Sequence, residues 1–214
     1  MYNKKLVTGI ILTLGIIALA GVGFSYSSKQ DSNITSNDNT DTSNLPIYTI
    51  KGDFIYDTNN VNESVGIVDY VFLGEVISHN GTTYEDIITT ENEDGKTLEA
   101  GTPYTNYSIQ IKENIKGKLQ TDAPIKIKKH GGVTQDNKSV FLFRDDCLPE
   151  VGKHYVFLAY AQPDGSLLVS GPNSNVLDMN STSKKDVIVE KYKDATKNEV
   201  VNAERERYSS AYEE

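Results

Sequence analysis

Three histidines and one cysteine are the residues here that could ligate a metal or carry a nucleophile: His79, His130, His154 and Cys147. No two histidines stand at i, i+2 or i+4, so neither a helix nor a strand brings a ligand pair to one face. Each falls at the end of an expected strand and reads as a surface residue. Cys147 lies in "FRDDCLPE". A thiol nucleophile needs a histidine within hydrogen-bond reach, and only the fold could bring His130 or His154 there. The expected role of Cys147 is a half-buried structural thiol. Asp145 and Asp146 are adjacent and would point to opposite sides of a strand, so they do not form a general acid/base pair there; in a loop they could bind Ca²⁺ with a backbone carbonyl. "TENEDG" at 90–95 has the look of a calcium loop. Thr90 stands where the first acidic ligand belongs, and Gly101 where the bidentate glutamate belongs. Phosphate-cradling glycine loops, nucleophile elbows and redox Cys-x-x-Cys pairs are absent from the sequence. No catalytic, cofactor-binding or metal-ligating residue is therefore assigned.

The elements around these residues begin with an apolar N-terminus. Lys4 and Lys5 precede residues 6–24, which carry no charge. As a helix that run spans roughly 28 Å, close to a bilayer core. Lysines before it predict the N-terminus inside and the remainder outside. Two readings stand: an uncleaved signal-anchor over 1–24, or a signal peptide cleaved after Ala20, at Ala18-Leu19-Ala20. The apolar run continues to Phe24, which favours the anchor. Both place the body outside the membrane, either as a single-pass cell-membrane protein or secreted. Residues 25–45 are Ser, Asn, Thr and Asp with almost nothing to bury, the composition of a disordered linker. With one cysteine there is no internal disulfide. The formal net charge of −9 argues against nucleic acid as a partner. The basic cluster "IKIKKHGG" at 125–132 is the local exception, and its lysines read as the solvated face of a strand.

From residue 46 short β-rich runs alternate with turn signals. Residues 60–70 suit one short helix, capped by Asn60 or Asn62. "IVDYVFLGEVIS" at 67–78 is apolar on both faces, so it is either covered on both or changes face. Gly74 would let it bend, with Val71 and Leu73 facing in before the bend and Val76 after it. Residues 106–115 alternate, with Tyr107, Ile109 and Ile111 inward, and residues 124–129 put Ile125 and Ile127 inward. Residues 139–143, 154–161 and 167–170 complete five or six strands, the last two joined by a turn at "QPDGS". The absence of intervening helices excludes a doubly wound sheet and favours a sandwich or small barrel. Residues 81–103 read as a long acidic loop with room for a weak strand at Ile87–Thr90; it is either the region to expect at a partner contact or solvated decoration. Residues 181–214 are helical in character. Ser183 and Asp186 suggest a capping box; Val189, Tyr192, Thr196, Val200 and Ala203 form a narrow stripe with a break near "DATKN".

The segments "VGIVDYVFLGEVIS", "YTNYSIQIKENIKGKL", "IKIKKHGG" and "LPEVGKHYVFLAYAQPDGSLLVSGPNSNVLDM" together resemble a recurring bacterial extracytoplasmic domain. That domain is similar to the oligonucleotide/oligosaccharide-binding (OB) barrel in the variant shared by netrin modules and tissue inhibitors of metalloproteinases. The similarity covers roughly 60–180. It implies a mainly β, OB-like barrel of five to six strands over 46–180, and it is unspecific for activity because the matching residues are turns and core. The inhibitors of that group block their targets with a free N-terminal cysteine, which this chain lacks. The expectation is a non-enzymatic, membrane-tethered binding or adaptor domain of a Gram-positive-type cell. It would be held to the membrane through residues 6–24 and bind a protein or cell-surface ligand, with no cofactor. The alternatives are a peptidase-inhibitor-like module and an enzyme using Cys147.

Overall fold

A computed structural model describes residues 35–36, 45–91, 94–177, 182–201 and 204–214. The expected apolar span at 6–24, and nearly all of the linker, lie outside these residues. Among the described residues no helix is long and apolar enough to cross a membrane.

The protein is mainly β. In chain order the elements are β1 (Thr35–Ser36), β2 (Ile47–Ile50), α1 (Val61–Ile67), β3 (Tyr70–Glu91), β4 (Thr97–Lys116), β5 (Ile125–His130) and β6 (Gly132–Val133). They continue with β7 (Val140–Phe143), β8 (His154–Ala161), β9 (Leu167–Val169), β10 (Asn175–Leu177) and α2 (Thr182–Lys197). Five strands close on themselves: β3 pairs with β4, β4 with β5, β5 with β9, β9 with β8, and β8 again with β3. Every pairing in this ring is antiparallel except β5–β9, where Lys128 and Lys129 face Leu168 and Val169 in parallel register. β10 continues the sheet beyond β8, and β1 lies on β3 with Thr35 opposite Thr83. A second, three-stranded sheet runs β2-β7-β6. β5 leads into it through Gly131 at φ +100°, a conformation that disfavours any residue with a Cβ.

The two-faced strand at 67–78 is explained by cover on both sides, not by a change of face. Tyr70, Phe72 and Val76 point into the ring with Tyr107, Ile109, Ile111, Ile125, Ile127 and Phe157. Val71 and Leu73 point the other way, under α1 and α2, with Val65, Ile67, Val189, Tyr192 and Ala195. β8 repeats the pattern: Tyr155 and Phe157 face in, Val156 and Leu158 face the helices. The expected inward placement of Val71 and Leu73 is therefore corrected, because strict alternation is kept through the glycine. Gly74 has two roles. The β3–β4 register slips between Leu73 and Gly74. A Cβ at Gly74 would lie 2.4 Å from Ile109 Cγ2, inside the ring.

α1 is a seven-residue helix held at both ends by side chains. Asn60 caps it, its Oδ1 accepting from the Asn62 and Glu63 amides. Its C-terminal carbonyls are met from far along the chain: Arg205 Nε donates to Ile67 O at 2.7 Å. Arg207 donates to Gly66 O at 2.6 Å and Val68 O at 3.0 Å. Both guanidiniums also pair with Asp69, whose Oδ2 accepts from the Ala161 amide at 2.9 Å. Residues 204–214 are not helical, which corrects the helical reading of 181–214 over its last part. α2 stops at Lys197, within the expected break, and from the non-helical end Tyr208 and Tyr212 pack against the ring interior. Ser210 N donates to Tyr70 Oη, Ala211 N to Gly165 O, and Glu214 N to Lys118 O, while Gln120 N donates to Tyr212 O.

The stretch at 81–103 is a β ribbon and not a loop. β3 and β4 stay paired out to Glu91 opposite Thr97. The β-branched run at 82–90 and the Asp94-Gly95 turn, with Gly95 at φ +72°, supply the strand and hairpin signals.

Replacing Gly74 by Ala is expected to destabilise the fold by about 1–3 kcal/mol, since Ile109 is fully buried and has nowhere to move. In the Ile109→Ala background the same change should cost less. Urea unfolding of the two single variants and the double variant measures that coupling.

Candidate functional site

The end of the ring where β5 finishes gathers most of the residues with chemical potential. Along β5, Ile125, Ile127 and Lys129 share the inward face, and all three are buried. Lys129 is 0% exposed, so its expected place on a solvated face is corrected. Its Nζ contacts Asp146 Oδ2 at 2.6 Å, Ser174 Oγ at 2.9 Å and Gly171 O at 3.5 Å. Asp146 follows β7; its side chain is 2% exposed, and its Oδ1 accepts from the Cys147 amide at 2.8 Å. Ser174 Oγ donates onward to Gly171 O at 2.6 Å. Asp145, at φ +64°, is exposed and takes no part in the pair. Both aspartates lie beyond the end of β7, in the turn and the residue after it, so the strand alternation expected to separate them does not apply here.

Burial pulls the two partners toward neutrality. It lowers the Lys129 ammonium, against the opposing pull of Asp146, and raises the Asp146 carboxyl, against that of Lys129. The alternation at 125–129 contained the signal that places Lys129 inside. A lysine there needs a partner, and only the fold brings Asp146 to it.

Cys147 is exposed, where a half-buried residue was expected. Asn175 Nδ2 lies 3.4 Å from its sulfur and 3.2 Å from its carbonyl oxygen. The residue as a whole is exposed, but its sulfur is partly covered beside Asn175; that burial, then the Asp146 charge, pushes the thiol up, which opposes thiolate chemistry at neutral pH. Among the described residues neither His130 nor His154 hydrogen-bonds Cys147. His79 is exposed, as expected, with its ring edge-on to Tyr107. His154 is half-buried, 3.9 Å from Glu75. His130 departs from its expected surface position. It stacks on Phe143 at 4.4 Å and meets Tyr104 edge-on, and its Nδ1 is buried without a partner. Burial, and then the neighbouring Lys129 charge, pushes its pKa down to about 4. No group of three or more metal-ligating side chains occurs among the described residues.

The second feature is the ribbon of β3 and β4. Its base is fastened by Tyr84 Oη donating to Val133 O and by the Lys128–Glu85 ion pair at 2.6 Å. Beyond Tyr84 the strand continues for roughly 20 Å. Cross-strand partners share a face, so Ile88, Thr90, Leu98 and Ala100 lie together on one side, and Thr89, Glu91, Thr97 and Glu99 on the other. Ile88 is 44% exposed and Leu98 53%.

No protein-family model matches the chain, and no curated protein matches it.

His130 fixes a pH dependence. The folded state holds it neutral down to about pH 4, whereas the unfolded chain protonates it near the ordinary 6.5. Its contribution is complete above about pH 6.5 and is lost as pH falls toward 4, by roughly 3 kcal/mol. Thermal unfolding from pH 7 to pH 4.5 should show that slope, and His130→Phe should flatten it relative to the wild type.

Proposed function

We propose that the protein is a non-enzymatic, membrane-tethered binding or adaptor domain acting on the outer side of a cell. Residues 6–24 are the anchor, residues 25–45 the tether, and an OB-like barrel the body. The order of pairing round the ring, first strand to second, third, fifth, fourth and back to the first, with the third and fifth parallel, supports the OB-like reading. The observation that carries the binding role is the ribbon. A two-stranded projection with isoleucine and leucine exposed on one face and glutamates on the other is marginal by itself and gains by being covered. A binding role also fits Cys147, whose thiol is held protonated, and Lys129, whose three acceptors already engage it.

Cross-linking of the full chain on intact cells tests this reading. The wild-type protein should give an adduct that disappears in the double variant Ile88→Asp/Leu98→Asp and persists in Val187→Asp, a change at another exposed apolar position. Adducts that survive the ribbon variant would move the contact elsewhere. External protease should digest the body on intact cells; protection of the body would overturn the topology.

A further inference from the structure

We propose that Lys129 and Asp146 condense into an intramolecular amide, a covalent link between β5 and the segment that follows β7. In water an amine and a carboxylic acid sit as ions and do not couple. Here both side chains are held in contact at 2.6 Å with solvent shut out, 0% and 2% exposed. Fixing two reactants in one geometry replaces a collision by a unimolecular step. Burial also shifts both groups toward the forms that react, a free amine and an undissociated acid.

The surrounding donors and acceptors suit each stage. A proton passes from Nζ to Oδ2 across their hydrogen bond. The Nζ lone pair then attacks Cγ, and negative charge gathers on Oδ1. That oxygen already accepts from the Cys147 amide at 2.8 Å, a backbone donor aimed where the charge develops. Nζ gives a second proton to Oδ2, the Cγ–Oδ2 bond breaks, and Oδ2 leaves as water while the carbonyl reforms at Oδ1. One N–C bond is made, one C–O bond is lost, and no oxidant or cofactor is consumed. The product keeps its hydrogen bonds: the amide oxygen retains the Cys147 donor, and the one remaining N–H faces Ser174 Oγ. Two buried charges, costly to hold away from water, are removed.

The test is mass spectrometry of the full chain purified under denaturing conditions, both intact and after tryptic digestion. The expected result is a branched peptide joining the Lys129 and Asp146 segments, one water lighter than their sum. Lys129→Arg and Asp146→Ala should each abolish it, and the wild-type peptide map decides the matter even if neither variant folds. Recovery of the two segments as separate, unmodified peptides from the wild-type protein overturns the proposal. So does a loss of water that persists in Lys129→Arg.

Discussion

β3 must serve two interiors at once, and the rest of the structure follows from that constraint. Its even-numbered positions from Tyr70 to Val76 line the ring, and its odd-numbered positions, Val71 and Leu73, form the floor beneath two helices. Burying a side chain of that size is worth about 1.5–3 kcal/mol over leaving it in water. A one-faced strand would forfeit either the ring or the helical layer. The same strand forms hydrogen-bonded ladders on both edges, with β4 and with β8. Gly74 is where these demands meet, since Ile109 packs too close for any Cβ and the ladder slips one residue earlier.

Much of this was legible in the residues. The alternation of Tyr107, Ile109 and Ile111, the pair Ile125 and Ile127, the cap at Asn60 and the break after β5 all act through local chemistry, and all stand where periodicity places them. Three features were misjudged for physical reasons. The ribbon at 81–103 is rich in acidic residues, which weakens an apolar pattern, yet β-branched threonines and isoleucines paired strand to strand suffice to keep it extended. The final segment has too few apolar residues to look packed. Its stability comes from two arginines meeting carbonyls and a carboxylate some 140 positions away in the chain, which no window of sequence contains. Reading Val71 and Leu73 as facing inward followed from supposing a single core where there are two.

The environment of Lys129 was hidden for a related reason. Its parity was visible, but the groups that receive it arrive from two distant places: Asp146 after β7, and Gly171 and Ser174 from the one turn between β9 and β10. Solvation of a lysine is the default only when nothing competes for it. Here a carboxylate, a hydroxyl and a carbonyl substitute for water at all three N–H positions. His130 beside it shows the converse: a ring taken into an aromatic stack with one nitrogen left unmatched keeps its place by remaining uncharged.

The arginines at 205 and 207 finish a helix that was made at 61–67, and residues 210–214 tie down the turns at 118–120 and 165. Assembly is accordingly ordered in time. While the chain is being synthesised, the early helix has nothing to complete it, and one mouth of the cylinder stays unsealed. The completed ends of that helix, and the tied-down turns at 118–120 and 165, therefore exist only once residues 205–214 are in place.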